Sequence, residues 1–335
     1  MTEGEPQNMG GIVAENRKTL KLLPGRAHPE LAEEIARELD VELTPTDAYD
    51  FPNGEIFVRY RESVRGSDAF VVQSISGQPN TWLMETLIMV DALKRGSAKR
   101  ITVVLPYYPY SRQDKKHRGR EPISARLVAD LLKTAGADRI LTVDLHTAQI
   151  QGFFDGPVDH LFAMPLLTHY ISQKYADAPL TVVAPDSGRV RLSERWTNEL
   201  GGCPLAFIHK TRDITRPGNV TANRVIGEVE GRVCVIVDDE IQTAGTICKA
   251  ADLLYEAGAA DVIAAATHPV LSDPATERLK NSRISEVVLT NTLPIPPEKR
   301  LDKLTVLSIA PLIARAIREV FDDGSVTTLF GGLSG

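Results

Sequence analysis

The sequence is short of cysteine, of long apolar runs and of net positive charge, and each shortage excludes a class of protein. Its 335 residues hold three cysteines, Cys203, Cys234 and Cys248, with no two at CxxC spacing. A disulfide framework and a structural zinc site are therefore not expected, and a reducing compartment is. No apolar run approaches the roughly 18 residues of a membrane span, so no membrane partner is expected. Lys and Arg number 38 against 44 Asp and Glu, a net charge of −6. So acidic a chain does not coat nucleic acid, and no nucleic-acid partner is expected. The opening MTEGEPQNMGG is polar and lacks the positive start and apolar stretch of a secretory signal. It reads as a frayed tail, residues 1–18, on a cytoplasmic protein. Neither GxxxxGK[ST] nor GxGxxG occurs, which removes the Walker loop and the dinucleotide fingerprint.

What is present is the composition of an ordinary globular protein, 43% hydrophobic and 24% charged, at a length that suits two α/β domains better than one. One block recurs: a helical stretch, a Gly-Ala or Gly-Ser end, then a short apolar strand. It begins at Asp91, at Asp130 and again, far downstream, at Asp252. The glycine stands where a helix C-cap is expected. The runs at 101–106, 140–146, 182–185, 233–239, 262–268, 287–290 and 304–310 are short, apolar and rich in β-branched residues, as buried parallel strands are. Alternation of helix and strand predicts an α/β fold with mostly parallel sheets flanked by helices. The distant third copy points to a fold used twice, with a boundary near 157–165; the plainer alternative is common α/β grammar.

Chemistry concentrates in Val233-Cys-Val-Ile-Val-Asp238-Asp239-Glu240-Ile-Gln242-Thr243-Ala244-Gly245-Thr246. A buried strand ends in twin acids, and a loop of small and hydroxyl residues opens a helix. A helix N-terminus offers unpaired N–H groups and a positive dipole end, so the loop suits a phosphate. Acids beside a phosphate cradle repel the phosphate, so their role is to take sugar hydroxyls or a metal. Together these parts point to ribose 5-phosphate. The bland alternative is a strand end with two solvated aspartates and a threonine N-cap.

A second segment runs Asp144-Leu-His146-Thr-Ala-Gln149-Ile-Gln-Gly152-Phe153-Phe154-Asp-Gly-Pro157-Val-Asp159. A histidine at the carboxyl end of a strand lies where open α/β sheets place ligands, and imidazole is a common metal ligand, although a lone strand-end histidine is more often structural. The acid-tipped loop resembles the phosphate loop of the phosphoribosyltransferase fold. The histidine segment resembles, nearly throughout, the signature of class I ribose-phosphate diphosphokinases. Arg112-Gln113-Asp114-Lys-Lys, Phe51-Pro-Asn53-Gly54-Glu55, Asp186-Ser-Gly188 and Lys210-Thr-Arg212 are similar to further stretches of that family. The likeness runs from about residue 20 to Phe330 and looks nearest to actinobacterial members.

The resemblance implies two tandem phosphoribosyltransferase-like domains: 19–161, completed by 322–335, on the ATP side, and 162–321 on the ribose 5-phosphate side. It implies transfer of the diphosphate of ATP to the anomeric hydroxyl of ribose 5-phosphate, giving 5-phosphoribosyl 1-diphosphate and AMP. By resemblance, ATP is bound by Phe51, Asn53, Gly54, Glu55, Arg112, Gln113 and Asp114. Mg²⁺ is held by His146 and Asp186, Lys210 and Arg212 are catalytic, and Arg212, Asp238, Asp239, Gln242, Thr243, Ala244, Gly245 and Thr246 take the sugar phosphate. A homo-oligomer, a hexamer, regulated by phosphate and ADP is implied, with Ser63, Arg65, Gln149, Asp159, Ser325, Thr327 and Phe330 at the regulatory site. Read from the residues alone, Ser325 to Phe330 is a C-terminal strand and Phe51 to Glu55 a β-turn.

Three positions depart from the family pattern, one of them Thr211, which stands between Lys210 and Arg212 where many members carry Arg. Gln242 stands where the loop usually carries Asp, and Glu240 replaces an apolar residue. A catalytically weak regulatory subunit is therefore one alternative, and a phosphoribosyltransferase that consumes the diphosphate product is another. The intact Lys210, Arg212 and His146 count against the first, and the His146 and Arg112-Gln113 segments against the second.

Overall fold

The computed structural model describes residues 18–212 and 221–330. Apart from Lys18, the expected tail lies outside them. The first half runs β1 (Leu20–Pro24), α1 (Pro29–Leu39), β2 (Thr46–Asp50), β3 (Ile56–Tyr60), β4 (Asp68–Val72), α2 (Pro79–Arg95), β5 (Arg100–Leu105), α3 (Ser124–Ala135), β6 (Arg139–Val143), β7 (Val158–Leu161) and α4 (Met164–Lys174). The second half runs β8 (Leu180–Ala184), α5 (Val190–Glu199), β9 (Leu205–Arg212), β10 (Thr221–Ile226), β11 (Val233–Glu240), α6 (Gly245–Glu256), β12 (Asp261–His268), α7 (Ala275–Asn281), β13 (Glu286–Thr290), β14 (Leu304–Leu307) and α8 (Ala310–Phe321).

The two halves repeat one order of elements. The first sheet is β1-β4-β5-β6-β7 and all its pairings are parallel. In the second, β8-β11-β12-β13-β14 has the same connectivity and is also parallel. The halves differ in their hairpins. β2 and β3 form a separate two-stranded sheet, whereas β9 joins β8 in parallel and β10 pairs antiparallel with β9. The doubled fold expected from the recurring block is thus present.

The block itself works by helix termination. Gly136 ends α3 at φ +124°, and its N–H returns to the carbonyls of Leu132 and Lys133. A side chain is strained at such an angle. Gly96 ends α2 with an ordinary φ of −73°, but a Cβ there would lie 2.5 Å from Val64 Cγ2. The same sequence position is therefore fixed by backbone angle in one copy and by close packing in another.

The strands are buried apolar runs, and three clusters fill the space around them. One lies within the first half and another within the second. The third joins Leu22 and Phe70 of the first sheet to Val182 and Val235 of the second through α1, α4 and α8. The last helix of each half serves the other half. On α4, Tyr170 donates its hydroxyl to Glu286 of β13 at 2.7 Å, and on α8, Arg318 donates to the carbonyl of Leu39 at the end of α1 at 2.9 Å. Buried Leu312, Ile313, Ile317 and Val320 of α8 each contribute about 1.5–3 kcal/mol by leaving water, so this seam is a core and not a loose domain contact.

Two sequence expectations are corrected. Residues 326–330 form a short 3-10 helix (Val326–Phe330), not a strand. Val326 and Leu329 are three apart, the repeat of a 3-10 turn, and both pack on the shared cluster. The apolar run 304–310 splits: β14 stops at Leu307, Ser308 Oγ accepts the Ala310 N–H, and α8 begins.

Candidate active site

The carboxyl ends of β5 and β6 meet those of β11 and β12. Beyond β6 the chain turns sharply at Asp144, whose φ of +37° is left-handed. Its carboxylate accepts the Ala163 N–H at 2.9 Å and the Thr267 hydroxyl of β12 at 2.6 Å. Its carbonyl lies 3.0 Å from His268 Nε2. From β5, the Tyr107 ring packs edge-on against His268 with centroids 5.0 Å apart, and its hydroxyl donates to Glu240 at 3.0 Å. These bonds fix one half against the other immediately behind the cleft.

His146 follows that turn and faces the twin acids. Its Nδ1 lies 2.7 Å from Asp239 Oδ2. An ionised carboxylate only accepts, so Nδ1 carries the hydrogen and donates it to Asp239. Burial pushes Asp239 toward the neutral form, but His146, Asp238 and Arg189 outweigh it and hold the carboxyl below its usual range. Asp238 moves the opposite way, raised by burial and by its charged neighbour. Two acids this close separate into one firmly ionised and one reluctant to ionise. Arg189 bridges them, with Nε 2.6 Å from Asp238 Oδ1 and Nη2 2.6 Å from Asp239 Oδ1.

The loop of residues 241–244, expected to take a phosphate, lies directly after the acids. Ala244 is left-handed, φ +58°, and α6 begins at Gly245. Arg278 covers the loop, donating to the Thr243 carbonyl at 3.0 Å, and a Cβ on Gly245 would sit 3.2 Å from its Nη1. A cavity of about 190 Å³ is lined by Arg112, Asp186, Arg189 and the stretch Asp238–Ile247. Acids and loop thus share one concavity, as a sugar bearing a terminal phosphate requires. Arg112 reaches across the seam to donate to the Gln242 side-chain oxygen, and it lies 3.5 Å from Glu240. Glu240, the unexpected acid of the loop, is buried and answered by Arg112 and Tyr107.

Other expected residues fall elsewhere. Gln113 anchors the start of α3, its Oε1 accepting from Ser124 at 2.6 Å. Asp114 is buried and accepts from Thr147 and Gln149, both at 2.8 Å, so it ties the Arg112 loop to the His146 segment. Phe51 to Glu55 form the exposed tip of the β2–β3 hairpin, closed by the Phe51 N–H to Glu55 carbonyl bond of 2.7 Å. Among the described residues this tip makes no hydrogen bond or ion pair with Arg112, His146 or the acid pair. Of the expected regulatory residues, Ser63 Oγ lies 3.4 Å from the Arg65 amide, Asp159 pairs with Arg139 at 2.6 Å, and the hydroxyls of Ser325 and Thr327 are 2.8 Å apart. One chain does not gather these into a single contact set. The side chains of Lys210, Arg212 and Phe330 lie outside the described residues; the β9 backbone carries the first two, paired with Asn223 and Thr221 of β10. Arg189 was missed by sequence reasoning, although it directly follows the Asp186-Ser-Gly188 motif.

Two residues carry donors that would serve a divalent cation, His146 and Asp186. The carboxylate on Nδ1 of His146 orients the ring, as second-sphere carboxylates orient metal-bound histidines. Asp186 accepts the Gly188 N–H through Oδ1 at 2.9 Å and retains a second oxygen. Among the described residues no three His, Cys, Asp or Glu side chains converge as a metal cluster.

A duplicated parallel α/β fold whose strand tips carry an acid pair and a phosphate loop defines a protein of the phosphoribosyltransferase-like class. Known proteins narrow this. The N-terminal domain of ribose phosphate pyrophosphokinase matches residues 20–136, and the phosphoribosyl synthetase-associated domain matches residues 213–331. The ribose-phosphate pyrophosphokinase of Mycobacterium leprae is 67% identical over 318 residues, 95% of this chain and 97% of that protein. That of Streptomyces coelicolor is 64% identical over 322 residues, 96% of this chain and 99% of that protein. The crystal structure of phosphoribosylpyrophosphate synthetase from Mycobacterium smegmatis superposes with a TM-score of 0.88 at 65% identity, covering 92% of this chain and all of that one. The chain belongs to the ribose-phosphate pyrophosphokinase family.

Proposed function

We propose that this chain transfers the diphosphate of ATP to ribose 5-phosphate through the cleft between its halves. The anomeric oxygen forms a bond to the β-phosphorus, the bond from that phosphorus to the α,β-bridging oxygen breaks, and AMP leaves with that oxygen. The proton of the anomeric hydroxyl passes to solvent. Such a transfer needs positioning and charge neutralisation more than covalent help. The observation that carries the reading is the shared concavity of the Asp238–Asp239 pair and the Thr243–Thr246 loop, facing His146 from the other half.

In this reading the loop amides and the hydroxyls of Thr243 and Thr246 hold the 5-phosphate, and the acids take the ribose diol. His146 and Asp186 hold Mg²⁺, which when bound neutralises phosphate charge. Arg112 and Gln113 address the triphosphate, and Lys210 and Arg212 stabilise charge that develops on the transferring group. The β2–β3 tip, which makes no hydrogen bond or ion pair with the described cleft residues and exposes Phe51, offers that ring to a nucleotide held by a neighbouring copy. An exposed apolar stripe on α3, Ile123, Leu127 and Leu131, gives a homo-oligomer a surface to bury. We assign the ATP side to 19–161 with 322–335, supported by the 2.5 Å ion pair of Asp323 with Arg100, and the sugar side to 162–321. Phosphate and ADP are the proposed regulators, a hexamer the proposed assembly and the cytoplasm the proposed location. No helix among the described residues is long and apolar enough to cross a membrane.

The test is direct. Purified protein is incubated with ATP, Mg²⁺ and phosphate, with and without ribose 5-phosphate, and AMP is measured. AMP that depends on ribose 5-phosphate is expected; nucleotide binding without AMP contradicts the reading.

A further inference from the structure

Arg189 occupies the centre of the cleft. It ends a short 3-10 turn (Ser187–Arg189) that Asp186 caps by accepting the Gly188 N–H, and α5 begins immediately after it. Its side chain is largely buried, 20% exposed, against acids that are 19% and 8% exposed. The planar guanidinium touches Oδ1 of each acid at 2.6 Å, and its Nη2 is 3.2 Å from His146 Nδ1. Other nearby arginines are engaged elsewhere: Arg112 with Gln242 and Glu240, and Arg278 with the Thr243 carbonyl.

Two adjacent buried carboxylates attract a divalent cation unless another positive charge is already in place. Here it is in place, one guanidinium within ion-pair distance of an oxygen of each acid. The remaining oxygens are also divided. Asp239 Oδ2 receives the His146 N–H, and Asp238 Oδ1 also receives the Asp239 N–H at 2.9 Å. Asp238 Oδ2 receives no N–H or hydroxyl hydrogen among the described residues, and the Asp238 carboxyl lies against that of Asp239.

We propose that Arg189 is the resident counter-cation of the Asp238–Asp239 pair. It keeps divalent metal off the acids, confines metal to the His146–Asp186 side, and leaves Asp238 Oδ2 to accept a sugar hydroxyl. Arg189 is thus a positioning residue, which decides that the acid pair meets its ligand by hydrogen bonds and not through a metal. The sugar hydroxyl in this statement rests on the ribose 5-phosphate reading; the exclusion of metal does not.

The experiment titrates Mn²⁺ into the full chain without nucleotide or sugar, with free Mn²⁺ read by electron paramagnetic resonance. Wild type, Arg189→Gln and Arg189→Lys are compared. Arg189→Gln should gain one Mn²⁺ per chain, bound at least about tenfold more tightly than by wild type, whereas Arg189→Lys should behave as wild type. Equal Mn²⁺ binding by wild type and Arg189→Gln overturns the proposal. If Arg189→Gln is unfolded alone, refolding by Mn²⁺ supports the proposal, and failure to refold at any Mn²⁺ concentration overturns it. Calorimetry of ribose 5-phosphate binding to wild type separates the two readings. Its failure removes the sugar assignment and leaves the Mn²⁺ comparison intact.

Discussion

His146 Nδ1 and Asp239 Oδ2 lie 2.7 Å apart, one on the exit of β6 and the other near the end of β11, so this hydrogen bond joins the two halves at the cleft itself. It places the hydrogen on Nδ1, and in the proposed reading Nε2 is the nitrogen that meets the metal. Asp239→Asn weakens that control. The variant should lose about 10- to 100-fold in activity, the usual scale for a group that orients a metal-binding histidine. Initial rates measured across a Mg²⁺ series should show a raised Mg²⁺ requirement as well. Unchanged rates and an unchanged Mg²⁺ dependence contradict the role.

Asp144 holds the turn that presents His146. Its Oδ2 accepts both the Ala163 N–H and the Thr267 hydroxyl, at a left-handed φ of +37°. Burial pushes its pKa up, against the pull of the hydroxyl and the amide, so a neutral amide suits the position. Asp144→Asn keeps an acceptor and a residue type that tolerates this φ. Asp144→Ala strands two donors and should cost roughly 2–4 kcal/mol. Urea unfolding of both variants checks the order; equal losses contradict it.

Glu286 joins α4 of the first half to β13 of the second. Burial alone would raise its pKa, but Lys174 and the hydroxyls of Thr305, Tyr170 and Tyr175 pull it down from 4.5 to about 2. A carboxylate lowered on folding stabilises the protein above its unfolded value, and that contribution fades as pH falls from about 4.5 toward about 2. Lys174 is half exposed, so screening limits the effect to about 1–2 kcal/mol. The stability gap between wild type and Glu286→Gln should be full at pH values near neutrality and shrink on acidification. A gap that widens in acid contradicts the assignment.

Gln242 accepts from Arg112 across the seam. An aspartate there meets the same guanidinium with a charge. Gln242→Asp should hold or raise the rate of AMP formation. A marked loss would mean that the loop is tuned to glutamine together with the buried Glu240.

Much of this architecture is legible in the chain because its signals are local. The acid pair, the hydroxyl-rich loop and the helix that follows are contiguous, so strand pattern and loop chemistry reveal them together. The recurring glycine-ended block shows the doubling. Arg189 stays hidden because its meaning lies in partners on β11 and beyond β6, which no spacing joins; an arginine directly after Asp186-Ser-Gly188 was the available hint. The crossed service of α4 and α8 is hidden for a related reason. An amphipathic pattern shows that a face is buried, not which half buries it. The strand expected at 325–330 fails because β-branched composition cannot supply a neighbouring edge.

The most direct test of the central claim is a crystal structure of the full chain with ribose 5-phosphate and a non-hydrolysable ATP analogue. The account predicts the sugar's phosphate on the Thr243–Thr246 amides, its diol at Asp238 and Asp239, and the anomeric oxygen turned toward the nucleotide's β-phosphorus. A sugar phosphate bound away from that strand tip, or a nucleotide filling the Thr243–Thr246 loop in its place, contradicts it.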